Sequence, residues 1–108
     1  MNISILGAGA WGTALAVALA PRHPVMLWAR DAQSVSNMAA TRDNARYLPG
    51  APLPDPLQLS SDLEQAVAHA RDGVLIVATS VAGLRPMLQA LAPLRVPNVV
   101  WLCKGFEQ

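Results

Sequence analysis

The run Ile3-Ser4-Ile5-Leu6-Gly7-Ala8-Gly9-Ala10-Trp11-Gly12 constrains this chain more than any other stretch. An apolar, strand-like segment leads straight into a G-x-G-x-x-G turn, and an alanine-rich segment follows. Each glycine answers a different steric demand. Gly7 permits the tight turn at the strand end, Gly9 leaves no side chain in the way of an approaching phosphate, and Gly12 lets the next helix lie close to the sheet. The first N–H groups of that helix, with the positive end of its dipole, then face an anion. Strand, glycine turn and helix in that order are what a dinucleotide pyrophosphate site requires.

The remaining sequence alternates strand and helix signals, which predicts an α/β fold: a Rossmann-type, doubly wound parallel sheet with crossover helices. Strands are expected at Asn2–Leu6, Pro24–Trp28, Leu57–Ser60, Val74–Ala78 and Asn98–Leu102. A first helix is expected from Ala10 to Ala20, stopped by Pro21, and a second from an Asp31 cap to about Ala40. Between Thr41 and Pro56, Pro49, Pro52, Pro54, Pro56 and Gly50 exclude a regular helix and predict a long ordered loop or extended excursion. Ser61-Asp62-Leu63-Glu64 has the capping-box pattern ahead of a third helix to Arg71. Thr79-Ser80 is expected to turn and cap a fourth helix reaching about Leu91, with Pro86 in its first turn. A dinucleotide domain of this kind runs on to a sixth strand and a substrate domain. The sequence, residues 1–108, is therefore expected to be one incomplete domain of a larger enzyme.

Composition narrows the function. A net charge of +1 and the lack of any Lys/Arg run give no electrostatic footprint for nucleic acid. Cys103 is the single cysteine, which excludes an intrachain disulfide and a cysteine metal set and suits a reducing cytoplasm. Ala16-Val17-Ala18 resembles a cleavage site, but no basic residue precedes Arg22, and three glycines interrupt the apolar run. Neither a secretory signal nor a membrane span is expected.

In an open parallel sheet, ligands sit beyond the carboxyl ends of the strands. Four segments belong there: the glycine loop, Ala29-Arg30-Asp31, Thr79-Ser80 and Cys103-Lys104-Gly105. Arg30 stands 18 residues after Gly12, near the place where an acidic residue would hold the ribose hydroxyls of NAD. A guanidinium cannot accept those bonds, but it pairs with a 2′-phosphate or stacks on adenine. NADP(H) is therefore favoured, and Asp31, one position later, keeps NAD(H) open. Trp11 either covers the pyrophosphate, walls the nicotinamide pocket or packs in the core, whereas Trp28 and Trp101, inside strands, are expected to pack. Lys104 is the only lysine; beyond a strand end it can bind a substrate phosphate or carboxylate, or polarise a carbonyl. His23, in the turn before the second strand, and His69, on an exposed helix face, are expected to be neither ligand nor base; Cys103 is read as a buried apolar side chain and Ser80 as a cap or phosphate contact.

The series GAGAWGTALA at 7–16, LWAR at 27–30, NARYLPG at 44–50, VATS at 77–80 and WLCKGFE at 101–107 resembles the N-terminal part of bacterial NAD(P)-dependent glycerol-3-phosphate dehydrogenases, over the whole chain. The resemblance implies that Gly7, Gly9, Ala10, Trp11 and Gly12 form the dinucleotide loop and that Arg30 lies near the adenosine 2′ end. It also implies that Lys104 touches both cofactor and phosphorylated substrate. Arg46 and Tyr47 fall in a lid-side segment with no assigned role. Thr79-Ser80 stands where that family usually has Pro-Ser. The implied reaction interconverts sn-glycerol 3-phosphate and dihydroxyacetone phosphate for phospholipid precursor synthesis. Its general acid/base lysine belongs to a C-terminal helical domain outside these residues, so no catalytic residue is assigned here and the chain alone is expected to be inactive. A homodimer is left open. A related reductase of the ketopantoate or 6-phosphogluconate type, and a non-catalytic redox-sensing module, are the competing readings.

Overall fold

The computed structural model describes residues 1–44, 48–79, 81–94 and 98–103. In chain order the elements are β1 (Ile3–Leu6), α1 (Ala10–Leu19), β2 (Val25–Trp28), α2 (Ala32–Thr41), β3 (Asp43–Asn44), β4 (Leu48–Pro52), β5 (Gln58–Ser60), α3 (Leu63–His69), β6 (Val74–Thr79), α4 (Val81–Leu91) and β7 (Val99–Cys103), with a short 3-10 turn at Ala92–Leu94. Five strands form one parallel sheet in the order β5-β2-β1-β6-β7. The chain builds outward from β1 to β5, then crosses back to β6 and β7. The crevice at the carboxyl ends of β1 and β6 is thus the switch point of a doubly wound sheet.

Period-two burial explains why these short apolar runs are strands. Ile3, Ile5, Val25, Leu27, Ile76 and Ala78 face one core with Ala16 of α1, Ala20 at the C-cap of that helix and Met38 of α2. Leu6, Met26, Trp28, Leu75 and Val77 face the other, against Ala66 and Val67 of α3 and Met87 and Leu91 of α4. Both faces are covered, as parallel strands require. Each fully buried Leu, Ile or Val contributes about 1.5–3 kcal/mol of transfer free energy. Ser4 is the polar exception in β1; its hydroxyl donates to the Ala66 carbonyl of α3, which removes the cost of burying it.

Several expected boundaries shift. The α3 cap is Asp62, not Ser61: its Oδ1 accepts from the Glu64 and Gln65 amides at 3.0 and 3.3 Å, and the helix ends at His69 rather than Arg71. With Asp62 as the cap, the helix starts one residue later than a Ser61 cap would place it. Pro86 sits in the second turn of α4 rather than its first. There it is exposed and, lacking an N–H, cannot donate to the Ala82 carbonyl. Trp28 packs as expected, but Trp101 is 40% exposed. It lies on β7, which among the described residues has a strand neighbour on one side only.

The proline-rich stretch is an ordered excursion with structure of its own. β3 and β4 form a two-stranded antiparallel sheet with a register irregularity between Asp43 and Asn44. Arg42, at φ 54°, ends α2 in the left-handed region, and its N–H pairs with the Met38 carbonyl. Its guanidinium donates to the carbonyls of Pro54, Asp55 (3.4 Å) and Leu57 (3.0 Å), fastening the far end of the excursion. Leu53 and Leu57 then drop into the first core.

Candidate dinucleotide site

The three glycines of the loop are required for three different reasons. Gly7 has φ 119°, and a Cβ there would stand 2.3 Å from the Ala78 carbonyl oxygen of β6. At Gly12 a Cβ would lie 2.0 Å from the Gly7 carbonyl oxygen and 3.3 Å from Ala78 Cβ. These two close the strand-to-helix turn onto the sheet. A Cβ at Gly9 would meet no protein atom within 4 Å. It would project into open space, which is the place a pyrophosphate needs.

Gly9 is also the N-cap of α1, with no side-chain capping bond and no acidic residue in the first turn. The first N–H groups of α1 are therefore left for an outside acceptor. By contrast, α2 is closed by Asp31, whose Oδ1 accepts from the Gln33 amide and whose Oδ2 accepts from the Ser34 hydroxyl, both at 3.0 Å. That occupation leaves Asp31 less free for ribose hydroxyls than its sequence position implied.

A cavity of about 1010 Å3 runs along the carboxyl edge of the sheet. Gly7, Ala8 and Gly9 line it from the loop after β1, Arg30 and Asp31 from beyond the end of β2, and Ala78 and Thr79 from β6. Its size is at the upper end of small-molecule sites and exceeds the need of a three-carbon substrate. Arg30 is exposed at its wall. Two buried side-chain atoms there, the Trp28 indole Nε1 and Asp43 Oδ1, have no partner among the described residues. Unpaired buried groups of this kind mark strain or a polar partner supplied from outside.

Of the sequence-assigned loop residues, Gly7 and Gly9 line the cavity; Ala10, Trp11 and Gly12 form the first turn of α1 beside it. Trp11 is 48% exposed, so it is not a core residue. His69 has its Nε2 3.0 Å from the Pro24 carbonyl, a structural tether between α3 and the start of β2. Lys104, Arg46, Tyr47 and Ser80 lie outside the described residues, as does the Cys103 side chain. Among the described residues no group of three or more His, Cys, Asp or Glu is placed to hold a metal, and no helix is long and apolar enough to cross a membrane.

Sequence reasoning missed the α2 face and the excursion as site walls. Gln33, Asn37 and Thr41 line the cavity from α2, and Asn44 from β3. The helical spacing of those α2 polar residues was the available signal. Asn44 opens the NARYLPG motif, but its partners are 31 and 36 residues away in sequence, so the motif gave no hint of what it binds.

The family model for the N-terminus of NAD-dependent glycerol-3-phosphate dehydrogenase matches residues 2–108. The chain belongs to that family. It is 62% identical over 108 residues to a glycerol-3-phosphate dehydrogenase [NAD(P)+] of Herminiimonas arsenicoxydans, covering 99% of this chain and 33% of that protein. A protein of the same name from Janthinobacterium sp. (strain Marseille) is 63% identical over 109 residues, covering 100% of this chain and 33% of the relative. The crystal structure of the Coxiella burnetii glycerol-3-phosphate dehydrogenase superposes with a TM-score of 0.86 at 32% identity, over 94% of this chain and 32% of that one. The chain thus spans about a third of the curated relatives it matches. The family bears out the expected fold class and the resemblance drawn from the motifs, and it disfavours the other reductases and the sensor as primary readings.

Proposed function

We propose that this chain is the dinucleotide-binding part of a glycerol-3-phosphate dehydrogenase, a cytoplasmic enzyme that interconverts sn-glycerol 3-phosphate and dihydroxyacetone phosphate. The observation that carries this reading is the uncapped N-terminus of α1, set against open space at Gly9 on the cavity at the sheet's switch point. The residues fit NAD(P): glycine amides and the α1 dipole for the pyrophosphate, and the cavity for the nucleoside. A bound nicotinamide supplies or takes up the hydride.

The chain's own part is positioning. Gly9 and the amides of Ala10 and Trp11 receive the pyrophosphate, with the Trp11 indole beside it. Arg30 pairs with a 2′-phosphate, so NADP(H) is favoured over NAD(H). Lys104, next in sequence to the end of β7, contacts cofactor and substrate phosphate. Proton transfer to or from the alcohol falls to a lysine outside these residues, and sedimentation decides between a monomer and a homodimer.

The test is a pair of assays on the purified chain. Titration with NADPH and NADH should show binding of both, NADPH the tighter, while reduction of dihydroxyacetone phosphate stays at background. Absence of any dinucleotide binding would refute the site, and turnover by this chain alone would refute the division of labour.

A further inference from the structure

Beneath the glycine loop lies a small buried hydrogen-bond ring that the dinucleotide reading does not use. The Asn44 side-chain amide donates to the Ala8 carbonyl at 2.8 Å and to Thr13 Oγ1 at 2.7 Å. The Thr13 hydroxyl in turn donates to the same Ala8 carbonyl at 3.2 Å. Thr13 is fully buried and Asn44 almost so, at 5% exposure. Both amide hydrogens of Asn44 are spent on the loop and on the helix it opens.

The consequence lies in the peptide that joins Ala8 to Gly9. It is trans, and in a trans peptide the C=O and the next N–H point in opposite directions. Holding the Ala8 carbonyl on Asn44 and Thr13 therefore turns the Gly9 N–H away from that ring. Gly9 is the residue with open space beside it and the cap of the unclosed helix. A peptide free to flip would present a carbonyl to an arriving phosphate, and like-signed partial charges would repel it.

Asn44 reaches the loop because of how its strand is held. It follows the register irregularity in β3, two residues after the left-handed Arg42. The Arg42 guanidinium binds the carbonyls of Asp55 and Leu57 beyond β4. The excursion is thus fastened at one end to the chain entering β5 and at the other to the phosphate loop.

We propose that Asn44 is a positioning residue for phosphate: it fixes the Ala8–Gly9 peptide so that the Gly9 N–H is presented to the pyrophosphate, and it couples the seating of the β3–β4 hairpin to cofactor affinity. This rests on the dinucleotide reading and adds a residue to it.

The experiment compares wild type, Asn44→Ala, Thr13→Val and Thr13→Ser for binding of NADPH and of adenosine, which shares the base and ribose but has no phosphate. Amide NMR signals of Gly9 and Ala10 are recorded in the free chain. Asn44→Ala and Thr13→Val should each weaken NADPH tenfold or more, leave adenosine within twofold, and move the Gly9 amide signal. Thr13→Ser, which keeps the hydroxyl, should restore NADPH affinity to within threefold of wild type. Equal losses for NADPH and adenosine, or NADPH affinity kept within twofold in both disruptive variants, would overturn the positioning role while leaving the dinucleotide site intact. Failure of the wild-type chain to bind NADPH would remove the dinucleotide reading and this inference together.

Discussion

Helices α1 and α2 both leave the carboxyl edge of the sheet, after β1 and β2, yet their first turns are built on opposite plans. The start of α2 is closed by its own sequence through Asp31, and α3 is closed in the same way by Asp62. The start of α1 has glycine as its cap, no side-chain acceptor and no acidic residue. A capping side chain contributes about 1 kcal/mol to a helix. Forgoing it at α1, beside a cavity and open space, leaves that amide cluster for a ligand. The contrast teaches that the site is defined by what its helix leaves unsatisfied as much as by the glycines.

Four substitutions break or sharpen this contrast. Gly7→Ala combines left-handed strain with a collision against the Ala78 carbonyl, and should cost about 3 kcal/mol or more in urea unfolding. Gly9→Asp makes α1 resemble α2. Stability should hold within about 1 kcal/mol, because a Cβ there meets nothing, while a carboxylate beside the pyrophosphate should weaken NADPH by about a hundredfold or more in calorimetry. Arg30→Ala should weaken NADPH by roughly tenfold and NADH by less than about twofold in the same assay, since only the former carries the 2′-phosphate. An equal loss for both cofactors would end that assignment. Asp31→Ala should lower stability by about 1 kcal/mol in thermal unfolding and leave dinucleotide affinity nearly unchanged. A large loss of affinity there would mean that Asp31 serves the ribose as well as the helix.

The sheet and the glycine loop were legible in the sequence because their signals are local. Buried parallel strands read as short apolar runs, and the G-x-G-x-x-G spacing states its own geometry. The excursion was legible only as a breach of helix rules. Prolines announce what a segment cannot be, and the β3–β4 pairing depends on the left-handed Arg42 and on contacts with distant carbonyls. Asn44 and Thr13 were invisible as a pair for the same reason: donor and acceptor meet only after the chain has folded. The shift of the α3 cap from Ser61 to Asp62 shows the limit of a four-residue pattern when two neighbouring residues can both cap.

The most direct test is an NMR titration of the chain with NADPH, following the backbone amides of Gly9, Ala10, Trp11 and Gly12 against those of Ala32, Gln33 and Ser34. A pyrophosphate seat on α1 predicts large, saturable shifts at the opening of α1, with smaller ones at the start of α2. Shifts centred on Ala32–Ser34 with the α1 amides unmoved would contradict it.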